Sequence, residues 1–293
     1  MLACSRVSQP IMISAPTRPF AIFVALLAML STSAAKDKFD AANFVQQQLN
    51  SIGTNYARAA IKDRVIQGTV IFQILNIGPQ TWEGPATMVS QGDELSVQFK
   101  FPPTVYRTEW FVRNGKKTAV APVLPGRWTA FGAFIRVHDE ILTEGLFGGT
   151  LSTAWALSQF DELRPKLEDR GLKKVDGVEL RRIDYIPKKN SDLEIQLYFE
   201  PNTYRHVMTV YLLTLAAFQG RTPGQSAGRQ NTTYRLEEHF GDFKTFDNLT
   251  LPTHWNIRFT YGPSSSGTID QYDVTEIRIA NNIPVDPKNF EMK

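Results

Sequence analysis

Most of the sequence consists of short runs in which apolar and polar residues alternate, and this pattern constrains the fold more than any other feature. Over residues 193–200 every second residue is apolar, and those in between carry polar groups. Such alternation places the apolar side chains on one face of a β-strand. Similar runs predict further strands over residues 65–75, 82–89, 94–101, 204–213, 234–240, 255–261 and 272–280.

Two dipeptides between such runs predict tight hairpins. Asn114-Gly115 separates TEWFVR from KKTAV, and Asp176-Gly177 interrupts GLKKVDGVELRRIDYIP. These residue types accept the positive φ that two-residue hairpin loops require. Consecutive hairpins give antiparallel neighbours, and a long antiparallel sheet has to curl or close. The expected fold is therefore mainly β with helices (α+β), a curved antiparallel sheet of about eleven strands that forms an open half-barrel.

The first 35 residues have the composition of a signal peptide. Arg6 and Arg18 are their only charges, and residues 20–30 are an unbroken apolar run. Ser33-Ala34-Ala35 offers small residues where a signal peptidase reads, so we expect cleavage after Ala35. The alternative is an uncleaved N-terminal anchor, but this run is short compared with the about 20 apolar residues of a membrane span.

Composition narrows the function classes. Cys4 is the only cysteine and lies in the segment that would be removed, so we expect neither a disulfide nor a lipid-modified cysteine in the mature chain. The chain has 32 basic and 29 acidic residues, a balance that creates no strong field to attract nucleic acid. We therefore expect a monomeric protein of the bacterial cell envelope, periplasmic or secreted, that does not bind nucleic acid.

Helices are expected in two places, where they would cover the sheet. The first spans residues 39–51, whose apolar residues recur at helical spacing before Gly53. The second is an insertion at residues 131–160, in which glycines interrupt a helical pattern that resumes at Leu151 and could extend over residues 158–169. Residues 36–293 would then form a single domain.

The insertion is strongly apolar, and residues 145–160 carry no charge at all. Two interpretations remain open: a buried core helix, or a lid that opens on an apolar ligand, since cavities for such ligands are lined by the same residue types as a core. Glycine weakens a helix by about 1 kcal/mol and tolerates hinge motion. The residues expected to contact a lipid are Phe134, Leu146, Phe147, Leu151 and Trp155, and the expected hinges are Gly145, Gly148 and Gly149.

No constellation of residues predicts catalysis or metal binding. The four histidines are His138, His206, His239 and His254. No two of them have the sequence spacing that is typical of metal ligands. Glu237 and Glu238 are adjacent on a predicted strand and would point to opposite faces. The sequence GLFGG lacks the Lys-Ser/Thr that completes a phosphate loop. We therefore expect no enzyme activity, no catalytic residue, no cofactor and no metal.

Three local patterns together resemble a known family. The first is VDGVELRRIDYIPKK followed by LEIQLYFEPNTYRHVMTVY, in which a strand ends in the acid-Pro-x-Thr turn of residues 200–203. The second is FGDFKTFDNLTLPTHWNIRF, and the third is VTEIRIANNIPVDPKNFEM, a strand followed by Asn-x-x-Pro and a terminal phenylalanine. In this order, after an exported N-terminus and a first helix, they resemble the LolA/LolB-type lipoprotein localisation superfamily.

The resemblance implies an open half-barrel whose apolar concave side is covered by helices and accepts acyl chains of lipoproteins or other lipids. It also implies an arginine that contacts the lid, for which Arg58, Arg107 and Arg113 are candidates. The protein is accordingly expected to bind a lipid or lipoprotein acyl chain, as a carrier, and to meet an envelope membrane protein.

Two alternatives to lipid binding stay open. One is a structural or protein-interaction envelope protein of the same fold with a filled interior, and the other is a hydrolase with an unrecognised site. A continuous apolar cavity beneath residues 131–160 would favour lipid binding, whereas a packed interior would favour the structural role. A hydrolase would need a cluster of histidine and carboxylate in a cleft.

Overall fold

The structure is a computed structural model that describes residues 39–76, 78, 80–102, 108–215, 231–263 and 267–292. The expected signal peptide and its cleavage site at Ala35 lie outside these residues. The described α-helices are α1 (Ala41–Ile52), α2 (Asn55–Ala59), α3 (Ala130–Val137), α4 (Glu140–Thr143) and α5 (Phe160–Leu163). None of them is long and apolar enough to span a membrane.

The strands follow the order of the chain and account for most of the described residues. They are β1 (Asp63–Ile74), β2 (Thr81–Gln91), β3 (Glu94–Lys100), β4 (Thr108–Asn114), β5 (Lys117–Val120), β6 (Lys166–Val175), β7 (Val178–Ile186), β8 (Glu194–Phe199), β9 (His206–Leu215), β10 (Thr232–Gly241), β11 (Lys244–Phe246), β12 (Leu249–Leu251), β13 (His254–Pro263) and β14 (Thr268–Asn281). Single 3₁₀ turns occur at Gly149–Leu151, Ala156–Gln159 and Pro287–Phe290.

Twelve of these strands form one sheet in the order β5-β4-β3-β2-β1-β14-β13-β10-β9-β8-β7-β6, with antiparallel pairing throughout. The first and last strands lie side by side at its centre, whereas β5 and β6, which are consecutive in sequence, form its two opposite edges. The predicted curved and open antiparallel sheet is confirmed, with twelve strands instead of about eleven. Strands β11 and β12 form a separate ribbon.

Register shifts interrupt the regular pairing and bend the strands. One lies in β14, where Glu276 and Ile277 stand opposite the single residue Gly68 of β1 and Glu276 has a φ of 52°. A second lies in β6 between Asp169 and Leu172, around Gly171. An extra residue on one strand of an antiparallel pair bends that strand and increases its twist. These bulges explain how a long sheet curls without closing.

The two predicted hairpins are present, but only one has the predicted turn. Asp176 and Gly177 are the loop residues between the paired Val175 and Val178, both at positive φ, as a type I′ turn requires. In the other hairpin Asn114 is paired with Lys117, so the loop is Gly115-Lys116 and the predicted Asn114-Gly115 turn is shifted by one residue. Only Gly115 of that loop has a positive φ, which fits a turn with glycine at its first central position.

Replacing Gly115 or Gly177 with valine should destabilise the protein by about 1–2 kcal/mol, because a β-branched residue resists a left-handed backbone. A Cβ at either position would meet no atom within 4 Å, so the effect would come from the backbone and not from a clash. The measurement is the midpoint of chemical denaturation. Midpoints equal to the wild type would show that these φ values are not required.

The predicted N-terminal helix is confirmed as α1. Its first turn is capped by Asp40, whose carboxylate accepts a hydrogen bond from Asn43 N at 3.0 Å, and Gly53 follows its last residue. Its buried face includes Phe44, whose ring packs edge-on against Phe199 of β8 at 5.0 Å. The helix therefore rests on the half of the sheet formed by the later strands.

The predicted helices of the insertion are only partly confirmed. The helix α3 is present, but no continuous helix runs over residues 151–160, where two 3₁₀ turns stand instead. The extension over residues 158–169 is wrong beyond α5, because β6 begins at Lys166 and pairs with β7. Left-handed glycines at 145, 148 and 149 reverse the chain repeatedly, which a helix cannot accommodate.

Candidate functional site

The connection between β5 and β6 determines what covers the sheet. These strands are opposite edges, so the chain between them has to cross from one side of the sheet to the other. Residues 121–165 make this crossing and include the insertion, residues 131–160. Its apolar side chains join one large cluster with buried residues of β1–β4, β8–β10, β13 and β14. The insertion therefore fills the concave side of the sheet.

Helix α3 directs the first part of the insertion inward. Thr129 caps it, since its Oγ1 accepts a hydrogen bond from Gly132 N at 2.9 Å. Phe131, Phe134 and Ile135 lie on one side of the helix and are buried. The ring of Phe131 lies 5.1 Å from both Phe111 and Tyr272, so it packs against both halves of the sheet.

The residues predicted to contact a lipid all lie inside this packing. Leu146, Phe147 and Leu151 have no exposed surface, Trp155 is 1% exposed and Phe134 is 6% exposed. Among the described residues, the apolar space next to Leu151 is about 10 Å³, which holds about one water molecule. The side chains of the insertion thus fill the concave side of the sheet, where the sequence analysis expected an acyl chain.

The three predicted hinge glycines are tightly packed. Gly145 has φ 68°, and a Cβ there would come within 1.9 Å of Ala154 O. Side chains at Gly148 and Gly149 would meet Met88 Cε at 2.5 Å and Phe240 Cζ at 2.8 Å. Glycine is therefore required for the close packing at these three positions, and a hinge role stays a prediction.

A buried carboxylate beneath the insertion contributes a polar anchor. Glu238 Oε2 accepts hydrogen bonds from Gly148 N at 2.8 Å and Trp255 Nε1 at 3.0 Å, and its Oε1 accepts one from Tyr211 Oη at 2.8 Å. Burial raises the pKa of Glu238 to about 7, although these three donors lower it. As predicted, Glu237 points to the opposite face, where it pairs with Arg235.

A second buried carboxylate lies under α3. Glu109 is 1% exposed and its Oε1 accepts a hydrogen bond from Tyr272 Oη at 2.8 Å. Burial raises the pKa of Glu109 to about 7, against hydrogen bonds from Thr129 and Tyr272 that lower it. Both carboxylates are enclosed by apolar and aromatic side chains, so neither reaches a cleft where a substrate could meet it.

The candidate Arg113 contacts the insertion, and so does Arg64, which the sequence analysis did not propose. From β1 it reaches the carbonyl oxygens of Thr150 and Leu151, each 3.0 Å from its guanidinium. Of the three proposed arginines, Arg113 contacts Gln159 at 3.3 Å, Arg58 donates to the backbone at the end of α1, and Arg107 lies outside the described residues. Burial lowers the pKa of Arg64 to about 10, so it remains charged.

Trp155 connects the insertion to two other elements. Its ring stacks on His206 of β9 with centroids 4.6 Å apart, and its Nε1 donates to Gln48 Oε1 of α1 at 3.2 Å. Burial lowers the pKa of His206 to about 3, so the stacked imidazole is neutral. Trp155 is therefore packed as tightly as a core residue of the sheet.

A cleft of about 280 Å³ opens to solvent beside Trp155. It lies between α1, α2 and residues 150–158 of the insertion, and its apolar lining includes Leu49, Ile52 and Leu249. Arg58 and Arg64 line it as well and give it positive charge. The cleft is thus a place where the insertion, apolar surface and cationic groups meet solvent together.

No family model matches the sequence, and no curated protein matches it. Solved structures do match. A LolA superfamily protein from Nitrosomonas europaea is 10% identical over 87% of this chain and 99% of its own, with a TM-score of 0.45. A structure described as an outer membrane lipoprotein-sorting protein domain, from Vibrio parahaemolyticus, is 11% identical over 86% of this chain and 97% of its own, with a TM-score of 0.43.

At this level of identity, the chain is similar to a LolA superfamily structure and to a lipoprotein-sorting domain structure. A DUF1329 family protein from Desulfovibrio piger matches to the same degree, with 11% identity, 85% of this chain and 96% of its own covered, and a TM-score of 0.43. These likenesses say nothing about what this chain binds, which has to be argued from its own residues.

Proposed function

We propose that the protein is an exported, non-enzymatic envelope protein that binds the acyl chain of a lipid or lipoprotein, with the insertion as a lid. The observation that carries the proposal is that one irregular segment joins both edges of the open sheet and fills its concave side. If this segment withdraws, an apolar trough between the two edges becomes accessible. The residues proposed to contact the acyl chain are Phe134, Leu146, Phe147, Leu151 and Trp155.

The way the insertion is built supports movement as a unit. Its regular elements are short and are joined by backbone hydrogen bonds within the segment, such as Leu146 N to Ile141 O at 3.1 Å and Ala156 N to Gly145 O at 3.0 Å. Besides its buried apolar side chains, polar contacts from Glu238, Arg64 and Ser90 attach its backbone to the sheet. The cleft beside Trp155 offers an entry where Arg58 and Arg64 would meet an anionic headgroup.

The packed interior supports a second candidate function. If the insertion never opens, the protein is a structural or protein-interaction envelope protein whose sheet merely carries a filled core. The complete burial of Leu146, Phe147 and Leu151 favours this alternative. The two functions differ in one property, which is whether the insertion leaves the sheet in the native protein.

A disulfide between the insertion and the sheet tests the proposal. Ser90 of β2 and Thr153 are adjacent, since Thr153 N donates to Ser90 Oγ at 3.0 Å. In a Cys4→Ser background the variant Ser90→Cys/Thr153→Cys has no other thiol. The oxidised variant should lose binding of fluorescently labelled palmitate, and reduction should restore it. The single-cysteine variants serve as controls for the substitutions themselves.

The outcomes separate the alternatives. Equal binding by the oxidised and reduced forms would show that the insertion does not need to move, and the lid would be wrong. The filled interior would be favoured if neither the wild type nor the reduced variant binds palmitate and no lipid co-purifies with the protein. Native mass spectrometry of protein from its own envelope identifies any lipid that co-purifies.

Export predicts a defined N-terminus. Protein recovered from the envelope should begin at Lys36, because Ala35 completes the expected peptidase site. N-terminal sequencing is the measurement. A chain that still begins at Met1 would contradict cleavage and would favour the uncleaved anchor.

A further inference from the structure

Three potential metal ligands converge where the insertion meets the loop between β7 and β8. His138 follows α3, Glu140 begins α4, and Asp192 lies in the loop just before β8. One ligand atom of each lies within 4.8 Å of the other two. The sequence analysis expected no metal because the histidines have no ligand spacing with one another, but folding brings Asp192 to His138 from a distant part of the chain.

The distances suit a shared cation better than direct hydrogen bonds. His138 Nδ1 lies 3.4 Å from Asp192 Oδ1 and 3.6 Å from Glu140 Oε1, both longer than an ordinary hydrogen bond. Two ligands bound to one zinc ion at about 2.0–2.1 Å in tetrahedral geometry are about 3.3–3.4 Å apart. The imidazole nitrogen is thus spaced from each of the two carboxylate oxygens about as neighbouring zinc ligands are.

The surroundings fix two of the three ligands. The His138 side chain is 8% exposed, and its ring packs on Phe134 at 4.7 Å. Ser191 Oγ donates to Glu140 Oε1 at 2.6 Å, the kind of hydrogen bond that orients a carboxylate ligand. Because this hydroxyl donates to the carboxylate and not to the imidazole, the cluster lacks the nucleophile–base pair of a serine hydrolase.

The cluster borders a cleft of about 510 Å³ with an acidic lining. Its charged groups are Asp139, Glu140, Glu144, Asp192 and one lysine, Lys189. Three protein ligands beside an open cleft leave a coordination position for water or a ligand. Mixed nitrogen and oxygen ligands favour zinc or a similar borderline cation over magnesium or calcium, which prefer oxygen alone.

We propose that His138, Glu140 and Asp192 bind a divalent cation of the zinc class that ties the insertion to the β7–β8 loop. The ion replaces the two long contacts of His138 with Glu140 and Asp192. It thereby links buried His138 of the insertion to exposed Asp192 of the loop. This site does not depend on whether the protein binds lipid.

The test is zinc binding by the whole protein after removal of metal with EDTA. Isothermal titration should give one zinc ion per chain, and zinc should raise the melting temperature whereas magnesium at the same concentration should not. Asp192→Asn should weaken zinc binding at least about tenfold and abolish the thermal shift. The Asp192 side chain is 70% exposed, so this variant should fold normally.

Asp139→Asn is the matched control, since it removes the same charge from the same cleft but contributes no ligand atom to the cluster. It should bind zinc as the wild type does. Equal weakening by both variants would show general attraction to an acidic cleft and would overturn the site. Absence of zinc binding by the wild type, or equal effects of zinc and magnesium, would overturn it as well.

Discussion

Between pH 5 and pH 8 the wild-type protein should lose about 2–3 kcal/mol of stability relative to the variant Glu238→Gln. Burial raises the pKa of Glu238 to about 7, from 4.5 for an exposed glutamic acid. The folded state then holds a proton that the unfolded state has already released. The stabilisation is fully present below about pH 4.5 and is lost as the pH rises through about 7.

The variant Glu238→Gln isolates the titration of Glu238 because glutamine can form hydrogen bonds with the same three partners. The amide oxygen can accept from Gly148 N and Trp255 Nε1, as Glu238 Oε2 does, and the amide nitrogen can donate to Tyr211 Oη. Glutamine does not titrate, so every other group contributes equally to both proteins. The pH dependence of the difference therefore belongs to Glu238 alone.

The wild type has to be compared with the variant because some buried groups make the protein less stable as the pH rises and others as the pH falls. Burial raises the pKa of Glu109 to about 7 and of Asp270 to about 6, so both add to the loss at higher pH. Burial lowers the pKa of His206 to about 3, so the folded state loses stability as the pH falls below about 6.5. The wild-type profile alone would mix these opposite slopes.

Urea denaturation at several pH values measures the difference. Glu109→Gln should show a similar effect. Identical profiles for Glu238→Gln and the wild type would mean that water reaches the carboxylate, and hence that the insertion does not seal it.

The fold was predictable from the sequence because it depends on local signals. Alternation from Leu193 to Phe199 marks β8 directly, and Asp176-Gly177 marks the turn between β6 and β7. The ribbon of β11 and β12 was missed because three-residue strands are too short to show a period. The one-residue shift at Gly115 arises because β4 continues through Asn114, which pairs with Lys117 across the hairpin.

The site was less predictable because its contacts join distant parts of the chain. The apolar residues of the insertion were identified, but sequence cannot distinguish the lining of a cavity from the side chains that fill it. Arg64 and Glu238 were missed as anchors, since a charge within a strand pattern normally points to solvent. One signal was available in the sequence: Glu238 alternates with Leu236 and Phe240 and therefore lies on the same face of β10 as these apolar residues.

Trp155→Ala should increase hydrogen exchange across residues 131–160 at least about 150-fold, while β13 and β14 stay better protected than the insertion. Truncating a fully buried tryptophan costs about 3–5 kcal/mol, and here the loss includes the stack on His206 and the hydrogen bond to Gln48. If the insertion opens separately from the sheet, this loss lowers the free energies of local opening and of global unfolding by the same amount. The strands then stay better protected than the insertion, because global unfolding still costs more than local opening. Binding of labelled palmitate should weaken several-fold, because Trp155 is also a proposed contact.

The matched control is Trp82→Ala, which removes a half-buried tryptophan from β2, where it stacks on Phe72 at 5.4 Å. It should not change exchange in the insertion. Hydrogen exchange followed by mass spectrometry reports both segments in the same sample. If the insertion and the sheet instead have equal protection, in the wild type as in Trp155→Ala, both exchange through one cooperative transition and residues 131–160 belong to the core. A lid must open while the sheet beneath it remains folded.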